Sequence, residues 1–180
     1  MHDDETTRVP SLLAVGLGEV AGLVFVVGQC VVLGPVLVTR LNASILLGDY
    51  GISPDLNLWG AATMGALAHV VLAGLFGGLF AALHRSMVPR ARLRLDVQAA
   101  TGAVYGLALW FVNVQLVGRA GYEWFLELPQ ALMAALHALT FGLPLGLFFA
   151  FAARGRARRL AERRAPAAPR PATPTLSGRR

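Results

Sequence analysis

Four long apolar stretches, separated by short segments that hold most of the charge, organise this chain. They cover residues 11–38, 58–83, 97–117 and 129–153. A helix needs roughly 20 predominantly apolar residues to cross a bilayer, and each stretch supplies them. The pattern predicts an all-α, integral membrane four-helix bundle. Ser11, after Pro10, can cap the first span, and Pro129 suits the first turn of the fourth. The Gly34-Pro35 pair should kink the first span or end its regular part. Residues 1–10 form a short N-terminal segment, 11–153 the membrane domain, and 154–180 a basic tail. Proline and small residues dominate the end of that tail, so disorder is expected there. The first span is far longer than the apolar region of a signal peptide and is read as an uncleaved insertion signal.

Arginine placement sets the orientation. The link between spans two and three carries Arg85, Arg90, Arg92 and Arg94, and the tail carries Arg154, Arg156, Arg158, Arg159 and more. The other two loops hold Arg40 and Arg119 beside Asp49, Asp55, Glu123 and Glu127. The positive-inside rule puts the arginine-rich link and tail in the cytoplasm, which places both termini inside. Tyr50, Trp59, Tyr122 and Trp124 then fall at the opposite boundary, as an interfacial aromatic belt.

Composition agrees with a bilayer as solvent. Of 180 residues, 56% are hydrophobic and 14% charged, against about 25% charged in a soluble domain. The net charge of +6 comes without a single lysine, and nine arginines lie beyond Ala153. Basicity therefore belongs to a loop and a tail rather than to a folded face, which excludes a nucleic-acid partner. Anionic lipids are the partners expected at that loop and tail. Cys30 is the only cysteine, so no intrachain disulfide forms, and it reads as a small buried hydrophobe. Arginine-only basicity with abundant alanine and glycine suggests a GC-rich genome; the expected location is a bacterial plasma (inner) membrane.

Two segments match without gaps. HVVLAGLFGGLFAAL from His69 and HALTFGLPLGLFFAF from His137 share His-x4-Gly-x3-Gly-Leu-Phe-x-Ala. GEVAGL from Gly18 and GAVYGL from Gly102 form a weaker pair. The reading is two tandem helical-hairpin repeats, parallel in the membrane because each has an even number of spans. Every span thus carries Gly-x3-Gly: Gly18/Gly22, Gly74/Gly78, Gly102/Gly106 and Gly142/Gly146. Such pairs let helix backbones approach, so they are assigned to helix packing, tightest toward the cytoplasm.

The polar residues within the spans are the candidate intramembrane site: His69, His137, Glu19 and Asn113. Each histidine should lie roughly 12 to 15 Å from the outer end of its span, near the midplane. Three roles are open to the pair. They can hydrogen-bond a neighbouring helix or each other; ligate a b-type haem; or serve a proton or small-solute path. At 100° per residue, Gly74 and Gly78 lie roughly 140° and 180° around the helix from His69. The same arithmetic applies to His137, so inward histidines imply outward grooves and a homo-oligomer or membrane-protein complex. Glu19 is expected to be protonated or paired with Arg85 or Arg90. Gln29, Asn113 and Gln115 suit interhelical hydrogen bonds. Pro144 removes a backbone bond to Thr140 and should bend span four just beyond His137. His2 and His84 receive no role. No nucleophile-base spacing, phosphate loop or closely spaced His/Cys/Asp metal set occurs, so no enzyme, resident metal or cofactor is expected apart from the haem alternative.

GAVYGLALWFVN and LPQALMAALHALTFGLPLG resemble a group of small bacterial and archaeal membrane proteins classed as a domain of unknown function. Gly102, Tyr105, Gly106, Trp110, Pro129, His137, Gly142 and Gly146 are the matching positions, with His69 and Gly74 in span two. The resemblance covers residues 58–152. It implies the four-span fold and carries no activity. The expected role is a structural or accessory membrane component acting through helix packing. The alternatives are a bis-histidine haem electron-transfer protein and a small proton or solute carrier.

Overall fold

A computed structural model describes residues 6–48 and 57–164. Tyr50, Asp49 and Asp55, with the tail beyond residue 164, lie outside the described residues. The described residues are helical throughout their regular parts: α1 (Ser11–Leu33), α2 (Pro35–Leu47), α3 (Leu58–Ser86), a short α4 (Pro89–Arg92), α5 (Leu95–Gly121) and α6 (Gln130–Arg164). Four of them, α1, α3, α5 and α6, are long and apolar enough to cross a membrane. A 3-10 turn, Glu123–Phe125, lies between α5 and α6.

The ends of these helices follow local chemistry. α1 stops at Gly34, whose φ of 84° suits only glycine, and Pro35 starts α2 with no N–H to lose. The first apolar stretch therefore breaks where Gly34-Pro35 stands, but the chain resumes as helix through Leu47, nine residues past the expected limit at 38. Gly48 closes α2 in the left-handed conformation. Asn57 caps α3 by accepting from the Gly60 N–H at 2.8 Å. Ser11 does not cap α1; Pro10 occupies that position, and the Ser11 hydroxyl accepts from Arg85 at 3.3 Å instead. α6 is helical through Arg164, so the first part of the expected tail extends the last span.

Two wide turns interrupt the α geometry: Phe111–Val117 in α5 and His137–Gly142 in α6. Both are π-helical, with hydrogen bonds reaching one residue further than in an α-helix. The second precedes Pro144, which cannot donate to Thr140 and whose ring would crowd that carbonyl. The expected bend beside His137 is thus taken up as a wide turn, and the Thr140 hydroxyl bonds back to the Leu136 carbonyl at 2.7 Å.

Glycine brings α1 onto α3 and α5 onto α6. A Cβ on Gly18 would strike the Ala73 carbonyl oxygen and lie 2.8 Å from the Gly77 Cα. One on Gly22 would lie 2.6 Å from the Ala73 Cβ and 2.9 Å from His69 Nε2. In the other pair, a Cβ on Gly102 would strike the Gly142 carbonyl oxygen, and one on Gly106 the His137 carbonyl oxygen. Gly146 stands equally close to the Gln98 carbonyl. α1 also leans on α6, where a Cβ on Gly28 would lie 2.9 Å from the Thr140 methyl. Between the two helix pairs, Phe80, Phe149 and Tyr105 pack edge to face with ring centroids about 5 Å apart, Phe80 and Phe149 with no exposed surface. The Tyr105 hydroxyl donates to the Phe76 carbonyl at 2.8 Å.

These contacts correct the expectation that the grooves are turned outward. All the motif glycines except Gly78 face a helix of the same chain, and Gly78 alone has open space around it. In α6 the phase arithmetic failed because it assumed 100° at every residue. The wide turn adds one residue between His137 and Gly142, which rotates the following face by about 100°. In α3, which has no such turn, the close approach uses Ala73 and Gly77 rather than Gly74 and Gly78.

Candidate functional site

Toward the end of the bundle away from the arginine-rich link, the helices part around a cavity of about 400 Å³. Its walls come from every span, from α2 and from the turn before α6. His69, His137, Asn113, Gln29 and Asn42 supply the polar lining, set among Phe25, Phe76, Phe141, Tyr122 and Phe125. No charged side chain borders it among the described residues.

Each imidazole is held by a backbone carbonyl. His69 Nε2 lies 2.8 Å from the Gly22 carbonyl oxygen on α1, and the absence of a side chain at Gly22 is what admits the ring. His137 Nδ1 lies 2.8 Å from the Met133 oxygen on its own helix. A carbonyl oxygen only accepts, so the ring nitrogen facing it carries the hydrogen. The neutral tautomers follow: His69 keeps its lone pair on Nδ1 and His137 on Nε2. Neither of those nitrogens has a hydrogen-bond partner among the described residues.

The two histidines do not meet. The Phe25 ring stands between them, stacked on His69 at a centroid distance of 6.2 Å and edge-on to His137 at 4.7 Å. Bis-histidine ligation would need both lone pairs directed at one iron from opposite sides. With Phe25 interposed and His69 Nε2 engaged by Gly22, the pair does not fit a haem in this arrangement. Among the described residues no group of three or more His, Cys, Asp or Glu side chains could hold a metal ion.

Of the four candidate polar residues, His69, His137 and Asn113 share the cavity and Glu19 does not. Its carboxylate lies over Gly74, where a Cβ would come within 2.7 Å of Oε1. No ion pair or hydrogen bond joins it to Arg85 or Arg90, which corrects the expected pairing. Gln115 does make an interhelical bond, donating to Gln130 Oε1 at 2.7 Å. Gln29 is buried and its Oε1 has no partner.

Sequence reasoning missed two fastening points. At the end away from the arginine-rich link, the Gln130 amide nitrogen lies 2.8 to 3.1 Å from the carbonyls of Phe125, Leu126 and Leu128, and its oxygen accepts from Trp110 and Gln115. This fixes the turn bearing Tyr122 and Phe125, which lies across α2: Tyr122 donates to the Ile45 carbonyl at 3.3 Å and Trp124 to the Ser44 hydroxyl at 3.0 Å. A glutamine next to Pro129 gave no sign of this. At the other end, Arg92 is 2% exposed. It donates to the His84 carbonyl at 3.0 Å, the Arg85 carbonyl at 2.6 Å and the Thr7 hydroxyl at 3.1 Å. It therefore closes the C-terminus of α3, where orphan carbonyls and the helix dipole favour a cation. His84 beneath it is fully buried against Phe149, with neither ring nitrogen hydrogen-bonded.

No family model, curated protein or solved structure matches the chain.

Proposed function

We propose that this is a bacterial inner-membrane protein that takes up a small, largely apolar molecule in its intramembrane cavity, as a binding or carrier protein rather than an enzyme. One observation carries the reading: an uncharged cavity of about 400 Å³ gathers His69, His137, Asn113 and Gln29 among apolar, partly aromatic walls. Binding pockets for small ligands are typically about 300 to 1,000 Å³, apolar, and furnished with a few convergent polar groups. The expected role through helix packing alone finds less support, because the motif glycines other than Gly78 are used within the chain. Association with a second copy or another membrane protein remains part of the proposal only through the surface around Gly78.

Two tandem hairpins, with both termini on the cytoplasmic side, are the architecture we infer. The glycines of α1 meet α3 as those of α5 meet α6, and one extra residue in the wide turn of α6 accounts for the one-residue difference between the pairs. On that reading the chain belongs with the group it resembles in sequence. Anionic lipid is proposed at the arginine-rich surface, where a groove of about 310 Å³ lies between Val9, Leu13 and the Arg156, Arg159 and Arg163 face of α6.

The test is mass spectrometry of protein taken from its native membrane, beside Val114→Trp, which fills the cavity wall. The expected result is a small-molecule adduct on the wild type that Val114→Trp lacks. Identical adducts on both would overturn the reading.

A further inference from the structure

The cavity histidines are both lone-pair acceptors in their neutral form, and this restricts what the cavity can hold. Each ring has its N–H committed to a main-chain carbonyl, His69 to Gly22 and His137 to Met133. These partners cannot donate, so the assignment does not depend on amide orientation or on a choice of hydroxyl rotor. What each ring turns away from its carbonyl is a bare lone pair. Gln29, Asn42 and Asn113 offer both donors and acceptors and do not discriminate. The histidines do.

Charge narrows the ligand further. No carboxylate, guanidinium or ammonium borders the cavity among the described residues. A ligand anion would meet two lone pairs and no cation. A ligand cation would find no counter-ion in a site surrounded by hydrocarbon, where an unpaired charge is costly. The remaining surface is apolar, part aliphatic and part aromatic, with Phe25, Phe76 and Phe141 forming a connected set whose rings meet edge to face. Such faces accept a flat ring readily.

We infer that the cavity selects a neutral, flat, apolar molecule bearing a hydroxyl or N–H donor, which donates to the free ring nitrogen of His137 or of His69. This rests on the proposed function and specifies its ligand. A ligand with carbonyl or ether oxygens only would leave both lone pairs unsatisfied inside the membrane, and such losses are what make polar selectivity large.

The experiment uses the full chain in lipid nanodiscs, with three naphthalene probes measured by equilibrium dialysis against protein-free discs and against discs holding Val114→Trp. The probes are 2-naphthol, neutral with a donor; 2-methoxynaphthalene, neutral without one; and 2-naphthoate, an anion. Expected is protein-dependent binding of 2-naphthol about tenfold tighter than that of 2-methoxynaphthalene, with 2-naphthoate not bound. In His137→Phe, which keeps a ring of similar shape, that preference should shrink several-fold while 2-methoxynaphthalene is little changed. Equal binding of naphthol and its methyl ether would overturn the donor rule and leave the cavity reading standing. Tightest binding of 2-naphthoate would overturn neutrality. No binding beyond the Val114→Trp control by any probe would overturn the cavity reading itself, and this inference with it.

Discussion

The two ends of this bundle are built on opposite principles. Near the arginine-rich link, backbones touch: Gly18, Gly102, Gly142 and Gly146 leave no room for a methyl group, and Phe80 and Phe149 fill what remains. Toward the other end, the same four helices separate around a cavity whose polar lining is histidine and carboxamide. Lipid tails are as apolar as leucine, so helices in a bilayer associate through close packing rather than through hydrophobic exclusion. A tight half can therefore anchor the bundle and let the other half stay open. Close packing and open volume are thus divided along the bundle axis, with His69 and His137 at the junction.

The largest predicted effect breaks the tight half directly. Gly102→Leu or Gly142→Leu drives a side chain into a carbonyl of the facing helix and should cost on the order of 3 kcal/mol or more. Gly78→Leu, at the one motif glycine with open space beside it, should stay within about 0.5 kcal/mol. Thermal unfolding in detergent reads both. Equal losses would erase the distinction between packed and free glycines.

Arg92→Leu comes next. It removes a buried guanidinium that satisfies two carbonyls and a hydroxyl, at a cost of about 1.5 to 3 kcal/mol. Arg90→Leu, exposed on the same link, serves as its control at about 0.5 kcal/mol or less. A smaller change is expected at the open end. Gln130→Leu should lower stability by about 1 to 2 kcal/mol and accelerate amide exchange across the turn that carries Tyr122 and Phe125. His137→Phe should lower stability less than Gln130→Leu, by under about 1 kcal/mol, since the bond lost is to its own helix.

The span count was legible because apolar length is a local property that hydrocarbon enforces directly. The Gly34-Pro35 break was legible for a similar reason: both residues constrain the backbone wherever they occur. The glycine contacts were legible as motifs but not as partners. Period counting assigns one rotation to every residue, and the wide turn before Pro144 violates that rule without a sequence signal beyond the proline itself. Arg92 was read as one of four loop cations, because charge in a link normally stays solvated; its burial depends on how α3 ends and where Thr7 returns. The cavity was the least legible of all. Its polar residues were nearly all singled out, but the space between them is a property of four helices together, and Gln130 acts from a position that resembles an ordinary loop.

The claim of one sealed half and one open half can be tested on a single helix, by comparing the melting temperatures of Gly106→Ala and Val114→Phe. A methyl group at Gly106 meets the His137 carbonyl, whereas Val114 borders the cavity. The added methyl should lower the melting temperature clearly, and the added ring should leave it unchanged or raise it. A ring at Val114 that destabilises more than a methyl at Gly106 would contradict the claim.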